Sequence, residues 1–416
     1  MDNLNIKEFS KYTCKICDEP LKEIIDFGMQ PLGNGFLSKE ETNQEYFYPM
    51  KIGFSEKSNM LQLLKQPEPE KMFHKNYAFF SSTSKNMAFH FEDYANSVLQ
   101  DLDDNEKSPF IIELGCNDGI LLKHFAKKNI KHLGIEPSTN VANEANKIGV
   151  RTISEFFSEE LADEILKNDG QCDRFLSANV MCHIPNINSV ARGIKKLLKK
   201  NGLLIFEDPY LGDIVKKTSY DQIYDEHIFL FSALSIKFLF EMHDMELVDL
   251  IPQNTHGGSM RYIIGHKNQH KISKNVEKII ANEINLGLNN LQNETVLKEN
   301  VERSKLELIS LLKKLKKEGN TIAGYAATSK STTIFNYCNI GPDLIDYICD
   351  STPLKQGKLS PGMHIPIVNP IEFKRNPPDY ALLLAWNHSD EILQNEKDFA
   401  NNGGKWITHI PQVRIL

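Results

Sequence analysis

Two short stretches carry the residue types that acid–base chemistry and ligand binding require. The first is the tetrapeptide YDEH, which places Tyr224, Glu226 and His227 within four residues, downstream of the apolar run GLLIFEDP. A histidine titrates near neutral pH, and a neighbouring carboxylate can orient its ring and raise its basicity. YDEH is therefore a candidate acid–base cluster, although a Glu–His pair taken alone is more often surface charge.

The second stretch is IIELGCNDGI, in which an apolar run ends on Glu113 and continues through Gly115 and Gly119. Glycines in a strand-to-helix turn let the backbone approach a ligand, and the helix N-terminus offers free N–H groups. The spacing is E-x-G-x-x-x-G and not G-x-G-x-x-G, so the dinucleotide fingerprint is absent and a nicotinamide oxidoreductase is disfavoured.

A second acid, Glu136, ends the next apolar run in LGIEP, where a carboxylate can accept hydrogen bonds from ribose hydroxyls. Two acids around a nucleoside suit a ligand without a pyrophosphate. S-adenosylmethionine (SAM), a cationic nucleoside that carries an amino acid, fits this pattern. The alternative is a generic glycine turn of an α/β protein.

The elements around these residues alternate. PFIIELG, HLGIEP, DRFLSANV and GLLIFEDP read as strands, and the helical segments between them are GILLKHFAKK, NVANEANKIG and INSVARGIKKLLKK. This alternation predicts βαβ units and a parallel sheet covered on both faces, over about residues 105–268. Ligands of open α/β sheets bind at the carboxyl ends of the strands, where Glu113, Glu136 and YDEH are expected to lie.

The flanking regions differ from this block. Residues 1–75 are predicted to be an irregular, loop-rich module, and residues 270–318 long polar helices. At residue 321 a second strand–turn–helix begins in TIAGYAATSKSTTIFNYC, and LIDYICD, DYALLLAW and KWITHIP follow as strands. They predict a second, smaller α/β unit.

Composition narrows the class of protein. The chain has 416 residues, 41% of them apolar, and a net charge of −7, so there is no electrostatic case for nucleic acid or an acidic membrane. No apolar run approaches the roughly 20 residues that span a bilayer, and the N-terminus lacks signal-peptide features. Seven scattered cysteines make disulfides improbable, which favours the cytoplasm.

Several motifs together resemble a known family. IIELGCNDGILLKHF, HLGIEPSTNVANEA and ANVMCHIPN are similar to the SAM-dependent methyltransferases that act on nucleotide-linked deoxysugars, best known as sugar C-3′-methyltransferases of antibiotic pathways. The resemblance continues through YDQIYDEHIFLFS, THGGSMR, GYAATSKSTTIFNYC, KQGKLSPGMHIPI, AWNHSDEI and, more weakly, PLGNGFL. It therefore covers most of the chain.

The resemblance implies roles for the candidate residues. The substrate would be a nucleoside-diphosphate 4-keto sugar, from which His227 removes a proton next to the keto group. Tyr224 would donate to the keto oxygen and Glu226 would orient His227. His183 would lie near the transferred methyl group, and Tyr77 would reach the sugar. The implied SAM contacts are Glu113, Gly115, Asn117, Asp118, Gly119, Glu136, Pro137, Ala178 and Asn179.

Substrate contacts are expected in two further motifs. His256 and Arg261 of THGGSMR offer a phosphate- or sugar-facing site, although Arg261 can equally pair with an acid of the fold. In the second α/β unit the candidate diphosphate and nucleotide contacts are Thr328, Ser329, Lys330, Ser331, Asp350 and Lys355. Simple N-capping by the hydroxyls is an equally weighted alternative.

One departure from the family concerns a metal. Cys14 and Cys17 form half of a four-cysteine zinc site, but Ser55 and Ser58 stand where the family has the second pair. Serine is a poor zinc ligand, so bound zinc is doubtful.

The predicted fold class is α/β. It comprises a small module related to a zinc-binding domain (1–75), a class I SAM-binding Rossmann-like domain (76–268), a helical linker (269–318) and a Rossmann-like nucleotide-sugar domain (319–416). Two alternatives stay open: an O-methyltransferase for a sugar hydroxyl, and an inactive nucleotide-sugar-binding protein.

Overall fold

A computed structural model describes residues 12–72, 81, 85–102, 108–291 and 294–416. Its strands, numbered β1 to β17 in chain order, are Lys22–Pro31, Phe47–Ser55, Met60–Leu63, Phe110–Leu114, Lys131–Ile135, Thr152–Ile153, Cys172–Ala178, Leu198–Pro209, Phe229–Leu230, Met245–Gln253, Ser259–His266, Ile322–Tyr325, Tyr347–Cys349, Ile367–Val368, Tyr380–Leu383, Lys405–Thr408 and Arg414–Ile415. Its α-helices, α1 to α14, are Pro69–Met72, Lys85–Asp101, Lys123–Ala126, Thr139–Lys147, Glu159–Asp169, Ile187–Leu197, Leu211–Lys217, Ala233–Glu241, Lys274–Asn285, Glu294–Lys317, Ser329–Tyr337, Pro370–Arg375, Ser389–Asn395 and Lys397–Asn401.

The central sheet has seven strands in the order β10-β11-β8-β7-β4-β5-β6. Strands β4 to β8 run parallel, and β4 is buried along its whole length, as expected for a strand covered by helices on both faces. The predicted α/β fold is confirmed. Strand β8 is not at the edge of the sheet, because β11 pairs with it antiparallel and β10 in turn pairs antiparallel with β11.

The C-terminal sheet has six strands in the order β14-β13-β12-β15-β16-β17. The first five are parallel and β17 is antiparallel, so the strand order reverses on either side of β12, as in a Rossmann-like fold. The predicted strand–turn–helix is present as β12 followed by α11. Both long helices predicted between the sheets are present as α9 and α10.

The N-terminal region is more regular than predicted. Strands β1, β2 and β3 form an antiparallel sheet whose fourth strand is β9, the residues Phe229–Leu230 that follow YDEH closely. The pattern was misread because β1 contains two register shifts, between Glu23 and Ile25 and between Asp26 and Met29, which break the alternation typical of a strand.

One hydrophobic core joins regions that were predicted to be separate. Ile52 of β2, Leu308 and Leu312 of α10, and Ile348 of β13 belong to the same buried cluster. The long helix α10 is therefore packed between the N-terminal and C-terminal sheets and is more than a linker. Within the described part of the chain, no helix has both the length and the apolar character needed to cross a membrane.

Candidate functional site

The loop that carries YDEH holds His227 by both ring nitrogens. Nδ1 lies 2.7 Å from the backbone carbonyl oxygen of Gln222, and Nε2 lies 2.7 Å from the hydroxyl of Tyr224. Because a carbonyl oxygen can only accept, Nδ1 carries the proton and the Nε2 lone pair accepts the Tyr224 O–H. Burial, followed by the proximity of His183, lowers the pKa of His227 well below its ordinary value. The ring is thus a neutral base.

His183 lies where it was expected, after the end of β7 in the short 3₁₀ helix Met181–His183. Its ring stacks on that of His227, with ring centroids 5.3 Å apart. Burial lowers the pKa of His183 to about 4, so this ring is also neutral at physiological pH. Tyr77, the other residue predicted to reach the sugar, lies outside the described residues.

The predicted role of Glu226 differs from its observed contacts. Both nitrogens of His227 have other partners, and Glu226 Oε1 instead accepts a hydrogen bond from Asn34 Nδ2 at 2.8 Å. The neighbouring Asp225 accepts the Gly33 N–H at 3.0 Å, and burial raises its pKa to about 7. The two acids thus attach the N-terminal region to the YDEH loop, and the carbonyl of Gln222 orients His227.

The glycine turn lies at the carboxyl end of β4. Gly115 has a φ of +72°, and a Cβ there would lie 2.2 Å from Val180 Cγ2, so only glycine fits this backbone. Glu113 ends β4 with 2% of its surface exposed, and its Oε2 has no hydrogen-bond partner among the described residues. Burial, and then the charge of Glu136, raises the pKa of Glu113 well above its ordinary value.

Glu136 organises the turn from the end of β5. Its two carboxylate oxygens accept the N–H groups of Asn117, at 3.1 Å, and Ser138, at 2.9 Å. Burial nonetheless raises the pKa of this carboxyl group. The other predicted cofactor residues lie at the same edge of the sheet: Asp118 and Gly119 in the first turn, Pro137 after β5, and Ala178 and Asn179 at the end of β7.

Arg261 does not face a phosphate site. It lies on β11 with 8% of its surface exposed, and its Nε donates to Glu207 Oε1 at 2.7 Å. Its guanidinium group also lies 4.1 Å from the centre of the Tyr94 ring. Pairing with an acid of the fold, the alternative interpretation, is therefore what the structure has. His256 lies three residues before the first residue of β11, and burial lowers its pKa to about 3.

The turn between β12 and α11 is capped by its own side chains. Thr328 Oγ1 accepts the Ser331 N–H at 3.2 Å, and Ser331 Oγ accepts the Thr328 N–H at 3.0 Å. This reciprocal capping is the alternative to diphosphate binding, and it occupies part of the helix N-terminus. Next to it, the Cβ of Ser329 lies 3.0 Å from the Cβ position of Gly33, so the turn also contacts the N-terminal region.

Lys330, the second residue of α11, is the cationic side chain of this turn. Burial, and to a smaller extent the charge of Lys330, lowers the pKa of His227, His256 and His388. Burial lowers the pKa of Lys330 itself, and Asp221 opposes that effect.

Asp350 and Lys355 both bind the backbone of this turn. Asp350 accepts the N–H groups of Ala327, at 2.8 Å, and Thr352, at 2.7 Å. Lys355 Nζ donates to the carbonyl oxygen of Ala327 at 2.7 Å and lies 3.9 Å from Asp350. The substrate contacts at these two positions stay predictions.

A hydrogen-bond network that the sequence does not predict connects the C-terminal region to the segment just before YDEH. Asp221, which precedes Gln222, accepts the indole N–H of Trp386 at 2.6 Å and lies 3.3 Å from His409 Nε2. The ring of Trp386 also fills the space beside Gly257, where a Cβ would lie 2.1 Å away. The motif AWNHSDEI marked this region, but nothing in the sequence pairs Trp386 with Asp221.

Comparison with known families divides the chain into three consecutive matches. Residues 14–73 match a putative zinc binding domain, residues 88–250 a methyltransferase domain, and residues 254–411 a C-methyltransferase C-terminal domain. These limits place the methyltransferase match on the strands that carry Glu113 and Glu136. The YDEH loop, residues 224–227, lies within the same match.

Individual proteins give a consistent result. The chain is 30% identical over 406 residues to the C-methyltransferase NovU of Streptomyces niveus, covering 97% of this chain and 96% of that protein. It is 32% identical over 98 residues to a ubiquinone biosynthesis O-methyltransferase of Colwellia psychrerythraea, which covers 23% of this chain and 40% of that one. A solved magnesium protoporphyrin IX methyltransferase of Synechocystis PCC 6803 is 13% identical, covers 43% of this chain and 79% of its own, and has a TM-score of 0.33.

Proposed function

The chain belongs to the SAM-dependent C-methyltransferases, and we propose that it methylates a nucleoside-diphosphate keto sugar on the carbon next to a 4-keto group. The observation that carries this proposal is the 2.7 Å hydrogen bond between the half-buried Tyr224 and the buried His227. An acid–base pair of this kind suits proton removal next to a carbonyl group.

The central sheet offers residues that fit SAM. The φ of +72° at Gly115 lets the backbone turn sharply at the end of β4, and Glu113 Oε2, which has no hydrogen-bond partner among the described residues, can accept from an ammonium group. Glu136, at the end of the second strand, is available to ribose hydroxyls. When bound, SAM supplies an electrophilic methyl group, so the carbon that has lost a proton gains a methyl group and S-adenosylhomocysteine is released.

His227 is the proposed base. Nε2 is the nitrogen without a proton, because Nδ1 donates to Gln222, and the low pKa keeps the ring in this form. The proton on the sugar carbon moves to Nε2, and the electron pair of the broken C–H bond moves towards the keto oxygen. Burial of the ring keeps water away from the resulting carbanion.

Tyr224 is the proposed oxyanion partner. Without substrate its hydroxyl donates to His227 Nε2. A keto oxygen in the site competes for that hydroxyl, so binding of the substrate transfers the hydrogen bond from the histidine to the carbonyl. The exchange frees the base and stabilises the developing enolate in one movement.

The nucleotide end of the substrate is proposed to lie towards Lys330. This lysine is the cationic side chain of the turn between β12 and α11, and burial lowers its pKa. A diphosphate would restore the full charge of Lys330, since an opposite charge favours the protonated form of a buried lysine.

Hydrogen–deuterium exchange tests this proposal directly. The enzyme, S-adenosylhomocysteine and a panel of nucleotide 4-keto-6-deoxy sugars are mixed in D₂O, and exchange at each sugar carbon is followed by NMR. Enzyme-dependent exchange at one carbon next to the keto group is expected, and it would identify the methylated position. Binding of SAM without exchange on any keto sugar would contradict the carbanion route and favour transfer to a hydroxyl.

A further inference from the structure

Four side chains of the N-terminal region converge although they are distant in sequence. Cys14 Sγ lies 3.3 Å from Ser58 Oγ, and Cys17 Sγ lies 3.7 Å from Ser55 Oγ. In a tetrahedral zinc–thiolate site with bonds of about 2.3 Å, neighbouring sulfurs lie about 3.8 Å apart. The two pairs therefore keep roughly the spacing of adjacent zinc ligands.

The backbone of the two loops is also alike. The two loops are CKIC (14–17) and SEKS (55–58). Each is followed by a residue in the left-handed region, Asp18 with φ of 58° and Asn59 with φ of 53°. Each first side chain accepts a backbone N–H from within its own loop. Ile16 N donates to Cys14 Sγ at 3.4 Å, and Ser58 N donates to Ser55 Oγ at 3.3 Å. The two loops thus share a left-handed residue at the end and a backbone hydrogen bond to the first side chain, although the donor is two residues on in the cysteine loop and three residues on in the serine loop.

The donor atoms do not fit zinc. A structural zinc site uses four thiolate or imidazole donors, whereas the two serines offer neutral hydroxyls. In the described part of the chain, the cluster of His, Cys, Asp or Glu side chains spaced to bind a metal is the distant set of Cys182, His183 and His227. The N-terminal loops therefore supply two suitable donors, which is too few for a closed structural site.

Packing can hold the loops without a metal. Cys14, Ile16 and Met60 are each at most 2% exposed and belong to the core that continues into the first α/β region. Across that boundary, Asn188 Nδ2 donates to the carbonyl oxygen of Ile16 at 2.9 Å. These contacts fix the cysteine loop from outside the module, a support that an isolated zinc module lacks.

We propose that this module is metal-free, with two thiol–hydroxyl hydrogen bonds in the place of zinc, and that it retains the geometry of a four-ligand site. Replacing the serines in the double variant Ser55→Cys/Ser58→Cys is therefore expected to create a zinc site. The double variant Ser55→Ala/Ser58→Ala is the matched control, because it removes the hydroxyls without adding ligands.

Zinc content and thermal unfolding of the full-length proteins, expressed with added zinc, test both parts. The native chain and the alanine control are expected to hold almost no zinc, and a chelator should leave their melting temperatures unchanged. The cysteine variant is expected to hold about one zinc per chain, and its melting temperature should fall when the chelator is added.

Two results would overturn the proposal. About one zinc per native chain, removable by chelator with loss of stability, would show that the serine site still binds the metal. A folded cysteine variant without zinc would show that the geometry is lost. If that variant does not fold, the zinc content of the native protein still decides whether the module is metal-free.

Discussion

The two α/β regions use the same device at the same place. In each, the acid at the end of the second strand accepts the N–H of the turn after the first strand and the N–H two residues further along its own chain. Glu136 binds Asn117 and Ser138 in this way, and Asp350 binds Ala327 and Thr352. The shared topology therefore comes with a shared way of fixing the first turn.

The residues within the turns make the regions different. The first turn contains Gly115 and Gly119, whose φ values of +72° and +79° let the backbone turn sharply after β4. The second turn is closed by the reciprocal cap of Thr328 and Ser331 and packs against Gly33. One topology thus yields the proposed cofactor platform in the first region and a joint between regions in the second, and local side chains decide which.

The largest effect should separate chemistry from substrate binding. His227→Ala is expected to lower kcat by about 10²–10⁴-fold, the usual contribution of a positioned base, with little change in SAM affinity. Lys330→Ala in the second region should mainly raise the KM for the nucleotide sugar. Steady-state kinetics and SAM titration by calorimetry measure both.

His132→Ala serves as the control for the histidine variant, because His132 lies on β5 and hydrogen-bonds the backbone of Ile130 and Arg151, away from YDEH. Near-native turnover in His227→Ala would exclude this residue as the base. A fall in kcat with an unchanged KM in Lys330→Ala would remove the diphosphate role from the second region.

Glu136 and Asp350 hold corresponding positions in the two α/β regions, but their substitutions should affect SAM affinity differently. Glu136→Gln is expected to weaken SAM binding by about 10-fold or more, since hydrogen bonds to a charged group contribute about 1.5–3 kcal/mol. Asp350→Asn should leave SAM affinity unchanged and lower the melting temperature, because it weakens two backbone hydrogen bonds of the joint. Loss of SAM binding in Asp350→Asn would show that the second α/β region also contributes to the SAM site.

The pH dependence should follow the buried base. The pKa of His227 lies well below 6.5, so its competent neutral form persists as the pH falls. The acid limb of kcat/KM is therefore expected below pH 6.5, the ordinary midpoint of an exposed histidine. A profile measured between about pH 4.5 and 8 checks this, and a midpoint at about 6.5 would indicate a solvent-exposed base.

The smallest effect concerns backbone strain in the joint. Ala326 has a φ of 76°, a conformation that costs a non-glycine residue about 1–2 kcal/mol. Ala326→Gly should raise the free energy of unfolding by about 0.5 kcal/mol after the greater entropy of the unfolded chain is subtracted. Ala327→Gly, next to it and fully buried, should instead destabilise the protein in the same denaturation experiment.

The parts of the fold that the sequence predicted are those with strong periodicity. FIIEL and CDRFLSA are buried along nearly their whole length, and their apolar runs identify them as strands of a covered parallel sheet. The N-terminal strands were missed because β1 is bulged and half-exposed. Its pairing with β2 and the addition of β9 depend on tertiary contacts that a local pattern does not contain.

The site was predictable in its side chains and less so in its connections. His183, Tyr224 and His227 come together as expected. The group that orients His227 is the backbone carbonyl of Gln222, and a carbonyl has no signature in a sequence. Arg261 is a residue whose type was misleading. An arginine suits a phosphate, but Arg261 lies opposite Glu207 on the neighbouring strand and forms an ion pair with it.

The pairing of β3 with β9 has a consequence for the order of synthesis. Leu61 pairs with Leu230, so the edge of the N-terminal sheet waits for a partner that leaves the ribosome about 170 residues later. At about 5–20 residues per second this delay is roughly 8–34 s. During that time β3 presents an unpaired edge, the kind of surface on which nascent chains associate. His227 lies two residues before β9, so the YDEH loop is synthesised just before the strand that covers this edge.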